Sequence, residues 1–125
     1  MIILLLITGI ANAGDCRIHE GNSSFGKVLY TVTDNKVRKG DSRYGRVLAT
    51  IDNGSIRSGN GKYGEVLATV DAGRTRKGKG KYGTVLATVA GNKAHKGNSK
   101  FSKIIATGER CAKDQISAAA YFILK

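Results

Sequence analysis

Histidines and cysteines are the natural candidates for proton transfer or nucleophilic attack, and this 125-residue chain has two of each. A Ser or Cys nucleophile needs an adjacent base and a third group to orient it, gathered in one asymmetric cluster. His19 and His95 have no neighbour that sets them apart in this way. Asp34, Asp52 and Asp71 would serve as glycosidase carboxylates only if two converged across a cleft. Each lies in or beside a turn, where Asp is expected for its local hydrogen bonds. There is no CxxC, no HExxH and no calcium-loop spacing, so no metal or other cofactor is expected. Gly78-Lys79-Gly80-Lys81 has the look of a phosphate loop. It lacks the GxxxxGK[ST] pattern between strand and helix. No reaction is indicated, and the chain is expected not to be an enzyme.

What remains is electrostatic. The 21 Lys and Arg exceed the nine Asp and Glu, for a formal charge of +12. Such an excess draws anionic partners and speeds encounter. The candidate binding residues are Arg38, Arg57, Arg74, Arg76, Lys77, Lys79, Lys81, Lys96 and Lys100. The candidate partners are an acidic glycan, lipid head groups or nucleic acid, held by charge neutralisation and counterion release. The competing readings are plain solvated surface and a scaffold that docks a protein.

These residues sit on a repeat, and a repeat has to be found before any local reading. Phe25, Tyr44, Tyr63, Tyr82 and Phe101 follow one another at 19-residue steps, and Gly21, Gly40, Gly59, Gly78 and Gly97 keep the same step. His19, Arg38, Arg57, Arg76 and His95 share a third phase. The units fall near 17–35, 36–54, 55–73, 74–92 and 93–111. Runs such as Val47-Leu48-Ala49-Thr50-Ile51 are β-branched and read as strands. Asp52-Asn53-Gly54 supplies turn chemistry, and Ser55-Ile56-Arg57 a second, shorter strand. One unit thus supplies one hairpin, and a lone hairpin is marginal in water, so the units must pack together.

Alternation puts Val47, Ala49 and Ile51 on one face, with Leu48 and Thr50 on the other. Ala at the middle position implies crowding near a shared axis, where Tyr30 fills a gap in the first unit. The aromatic column is expected to be buried, because every unit has the same packing need. Exposed, it would stack on bases or sugar faces beside the cations.

A closed ring and an open solenoid both fit a 19-residue period. Cys16 and Cys111 lie five periods apart, in the same phase, at the two ends of the array. Exported proteins usually bridge such a pair. Five solenoid coils at ~4.8 Å would part them by roughly 24 Å, whereas a disulfide needs Cα atoms within about 7 Å. An intramolecular bridge therefore requires the ring. Beyond it, residues 112–125 form a short apolar tail. Its Ala118-Ala119-Ala120 run favours helix, and it is expected to pack across the ring and close the core, over one mouth or within it.

Residues 1–13 read as a signal peptide, with an apolar run and an Ala11-Asn12-Ala13 cleavage pattern. No Lys or Arg precedes the run. Residues 14–125 then form one exported domain, in a bacterial periplasm or outside the cell. The mature chain is expected to have no transmembrane segment.

The stretch Arg57-Ser58-Gly59-Asn60-Gly61-Lys62-Tyr63-Gly64-Glu65-Val66-Leu67-Ala68-Thr69-Val70-Asp71-Ala72-Gly73 resembles the unit of bacterial five-fold β-flower proteins. The resemblance covers roughly Arg17 to Leu124, including the apolar ending. It implies an all-β fold of five hairpins in a closed ring around a central axis, and it brings no activity with it. His19 and His95 depart from the pattern in place of Arg, and Ser102 in place of Gly.

Overall fold

Each β-branched run is a strand in the computed structural model, which describes residues 15–125. The expected signal peptide lies outside the described residues. In chain order the strands are β1 (Cys16–Glu20), β2 (Val28–Thr33), β3 (Lys36–Lys39), β4 (Val47–Asp52) and β5 (Ser55–Ser58). They continue as β6 (Val66–Asp71), β7 (Arg74–Lys77), β8 (Val85–Ala90), β9 (Lys93–Lys96) and β10 (Ile104–Glu109). All ten pair antiparallel with their neighbours, and β1 pairs with β10 to close a barrel.

Four hairpins are made by chain turns: β2–β3, β4–β5, β6–β7 and β8–β9. The fifth is assembled from the two ends of the sheet. His19 faces Thr107 and Ile18 faces Gly108, as Arg38 faces Thr31 and Val37 faces Val32. The Cys16–Cys111 disulfide, with a Cα–Cα distance of 4.8 Å, stands where the other hairpins have their turn. The first turn residue has positive φ in every unit: Asp34 56°, Asn53 48°, Ala72 52° and Gly91 62°. Arg110 keeps the same conformation, with φ 61°, although the chain bends there into the tail and not into a further strand. The sulfur bridge has replaced a peptide turn and left its geometry in place.

The tail is helix α1 (Lys113–Leu124). Asp114 in its first turn complements the positive end of the helix dipole. The helix closes the core from inside the ring, with Ile116, Ala118, Ala119 and Ala120 buried, and does not merely cover one mouth. It begins at the turn end, where the Lys113 stem passes Gly73. It finishes at the opposite end, where Tyr121 and Leu124 share a groove with Lys77 and Leu86. Twelve residues make about 18 Å of helix, and strands of four to six residues span a similar length.

Small inward side chains leave room for it. Ala49, Ala68, Ala87 and Ala106 are fully buried and pack in one core with Ala118, Ala119 and Ala120. Ile18, Val37 and Ile56 fill the same core, and buried Thr75 donates to the Ser117 carbonyl at 2.9 Å. Tyr30 packs on Phe122, ring centroids 6.1 Å apart, and so fills the gap assigned to it. Gly108 stands where other units have Val or Ile. A Cβ there would come within 2.7 Å of the Ile116 side chain.

Strict alternation fails at one place. The ladder register shifts in each unit, for example between Val37 and Arg38 and between Ile56 and Arg57. A bulge turns side chains that simple alternation would send outward. Leu86 accordingly lines the mouth beside Leu124, and Leu29 and Ile105 line it beside Ile123. These leucines therefore do not share the outer face with the threonines.

Candidate functional site

Between the hairpins lie five Gly-rich arms, near residues 20–27, 39–46, 58–65, 77–84 and 96–103. Each is closed at its base by one backbone bond, such as Lys39 N–H to Arg46 O at 2.9 Å. The strand threonine then clamps the arm. Thr31, Thr50, Thr69, Thr88 and Thr107 donate to the carbonyls of Gly40, Gly59, Gly78, Gly97 and Gly21 at 2.7–2.9 Å. Each arm therefore folds back over the outer wall as a petal, and the threonine hydroxyls find partners under it. Two ion pairs hold the second petal down: Arg17 to Asp41 at 3.0 Å and Arg43 to Asp15 at 3.1 Å.

The ring of five basic positions is part of this construction. Arg38, Arg57 and Arg76 donate to the carbonyls of Gly45, Gly64 and Gly83 at 3.0–3.2 Å. His19 and His95 bond the carbonyls of Gly26 and Ser102 at 2.8 Å through Nδ1. Each thus brackets the far side of its own petal, seven residues on. The chain passes so close that a Cβ at Gly64 would lie 2.0 Å from the Ser58 carbonyl oxygen. Arg57 also meets Asp52 at 3.4 Å. Arg74 is half-buried and bonds Asn98 at 2.8 Å.

The remaining candidates, Lys77, Lys79, Lys81, Lys96 and Lys100, are all exposed. Lys81 has a loose partner in Asp71 at 3.9 Å. Lys100 lies over the Phe101 ring, 5.7 Å from its centroid. The nine candidates thus divide by place. Four arginines brace petals, and five lysines face solvent.

The aromatic column reverses its expectation. Tyr63 and Tyr82 are 100% exposed, and Phe25, Tyr44 and Phe101 86–96%. They stand at petal turns such as Ser42–Gly45, closed by Gly45 N–H to Ser42 O at 3.2 Å. Strict periodicity here reflects a repeated turn and not a repeated core. Each residue directly before Tyr44, Tyr63, Tyr82 and Phe101 is Arg or Lys, so cation and ring are presented together.

Sequence reasoning also passed over most of a second set of cations, of which only Lys77 and Lys96 were among its candidates. Lys39, Lys77 and Lys96 end their strands in one repeat phase, and Lys27, Arg46 and Lys103 lie just ahead of the following strands in another. Together with Lys125 they rim the petal end, all exposed. None of them makes an ion pair among the described residues. Glu20 and Glu65 are the acids in those phases. The shared phases were the signal that could have found them.

The turn end differs. An open cleft of 530 Å³ there is lined by Asp34, Asp52 and Asp114 with Lys36 and Lys62. It holds carboxylates but no histidine or cysteine. Among the described residues no three His, Cys, Asp or Glu side chains gather as a metal site.

A family model described as "6-fold beta flower protein" matches residues 18–123. No curated protein and no solved structure matches the chain significantly. The description says six-fold where the sequence resembled five-fold β-flower proteins, and the flower architecture is common to both.

Proposed function

The chain belongs to the 6-fold beta flower family, and from that premise we propose that it is a non-enzymatic, exported module that binds polyanions on its basic flank. We also read this member as having five units, on its five petals and its 19-residue period. The family's description names a shape and no activity, so the reading rests on this chain's surface. The observation that carries it lies on the last two petals. Lys77, Lys79, Lys81, Lys96 and Lys100 stand in solvent there beside exposed Tyr82 and Phe101. A cation next to a bare ring suits an anionic polymer with flat faces, since stacking and counterion release act together.

Lys79→Glu combined with Lys100→Glu tests it, because neither side chain braces a petal. The measurement is a salt titration of binding to dextran sulfate and to single-stranded DNA. Affinity should fall at least about tenfold, and the salt slope should drop by about one for each lost contact. Unchanged affinity and slope would place the site elsewhere. A protein ligand held in a salt-tolerant complex, with no polyanion bound, would overturn the reading in favour of a docking scaffold.

A further inference from the structure

We infer that the petal end of the barrel is a docking face for the surface of an anionic lipid bilayer. This inference rests on the polyanion reading and narrows it. A soluble polyanion asks only for exposed cations. The petal end offers something more, an apolar floor inside a cationic rim.

The floor is made where α1 emerges. Ile123 and Leu124 are half-buried, and they share shallow grooves with Leu29, Ile105 and Leu86. These grooves measure 350 Å³ and 270 Å³. Lys77 and Lys125 edge one of them and Lys103 the other. A third groove, of 270 Å³, joins Leu29, Val28 and Tyr30 to Lys27 and Lys39. Each of these three grooves pairs apolar side chains with exposed lysines, and Glu20 joins Lys103 at one of them. Contiguous apolar surface of this kind marks an interaction site.

Charge selects the occupant. Unpaired lysines around the mouth complement phosphate head groups, and each adds attraction close to an anionic membrane. A second copy of this chain set mouth to mouth would oppose one cationic rim with another. The turn end supplies the contrast. Asp15, Asp34, Asp52, Asp71, Glu109 and Asp114 lie there, six of the nine acids. Lys36, Arg74, Lys93, Arg110 and Lys113 share that end, so its charge is mixed, whereas the petal-end rim carries cations with only Glu20 and Glu65 as acids in the same phases. The docking is peripheral: strands of four to six residues are shorter than the about 9–11 that cross a bilayer, and among the described residues no helix is long and apolar enough to cross one.

The test uses phosphatidylcholine vesicles with and without phosphatidylglycerol, and dextran sulfate as the soluble polyanion. The chain has no tryptophan, so Leu124→Trp is a single reporter at the floor. Its emission should shift to the blue with phosphatidylglycerol vesicles and stay unchanged with dextran sulfate. Lys77→Glu with Lys103→Glu should cut vesicle partitioning at least about twentyfold, at roughly fivefold for each cation lost. Ile123→Ser with Leu124→Ser should weaken vesicle binding about tenfold and leave dextran sulfate binding intact. Vesicle binding with no blue shift, and no effect of the serine pair, would overturn the bilayer face and leave the polyanion reading standing. Dextran sulfate binding without vesicle binding would do the same. Binding to neither would overturn both.

Discussion

His19 shows how one residue can take over another's task under a different set of conditions. Its Nδ1 meets the Gly26 carbonyl and its Nε2 meets Glu109 Oε1, each at 2.8 Å. The Gly26 carbonyl is an acceptor, and so is Glu109 when ionised, so this geometry suits the ring with both nitrogens protonated. Burial opposes the charge, but the Gly26 carbonyl and Glu109 outweigh it and raise the His19 pKa above the ordinary 6.5. The bond from His19 in turn lowers the Glu109 pKa from the ordinary 4.5. The raised histidine stabilises the fold fully below about pH 6.5, and this is lost as pH climbs through its folded value. The lowered carboxyl stabilises fully above about pH 4.5, and this is lost as pH falls through its folded value. The contact between β1 and β10 is therefore strongest between about pH 4.5 and 6.5. Urea unfolding should show His19→Arg matching the parent near pH 5.5 and exceeding it near pH 8.5, because Arg stays charged. An identical decline in both proteins would remove His19 as the cause. That His19 and His95 stand in for Arg was legible in the repeat phase. Their bond to a carbonyl seven residues on was not, because it depends on how the petal folds back.

Strands and helix show where pattern reading succeeds and where it stops. The Val-Leu-Ala-Thr-Val runs and the Asn53-Gly54 turn were legible because local chemistry dictates them. The Leu positions were misassigned because a bulge is a tertiary adjustment that leaves the two-residue alternation intact in sequence. The inner Ala column was read as crowding, and it is, but the crowding body is α1. Gly108 carried the clue, as the one unit without a branched residue at that phase. Gly108→Val should destabilise the fold by about 1–3 kcal/mol through overpacking on Ile116. Combining it with Ile116→Ala should relieve much of that cost, so the two changes should be strongly non-additive in denaturant unfolding. Simple additivity would mean that the helix does not press on that strand. The aromatic column misled for a related reason. A repeated β-turn conserves its tip as strictly as a repeated core conserves its filling, and periodicity alone cannot tell them apart.

The closed ring was legible for the molecule as a whole, because Cys16 and Cys111 share one phase five periods apart and only a ring lets them meet. The cationic rim at the petal end was not, because it requires knowing which ends of the strands lie together. Removing the bridge by Cys16→Ser with Cys111→Ser should cost about 2–5 kcal/mol, as expected when a loop of this length is released. The measurement is the shift in urea midpoint. No shift would mean that β1 and β10 hold the ring closed unaided. The bridge has a further consequence. A barrel has no unpaired strand edge, so no other chain can add itself to the sheet. If the sulfurs part and β1 lifts from β10, two bare edges appear together, one on each side of the gap. Each is a template for strand addition from a neighbouring molecule. The bond that stands in for a turn thereby guards the protein against aggregation.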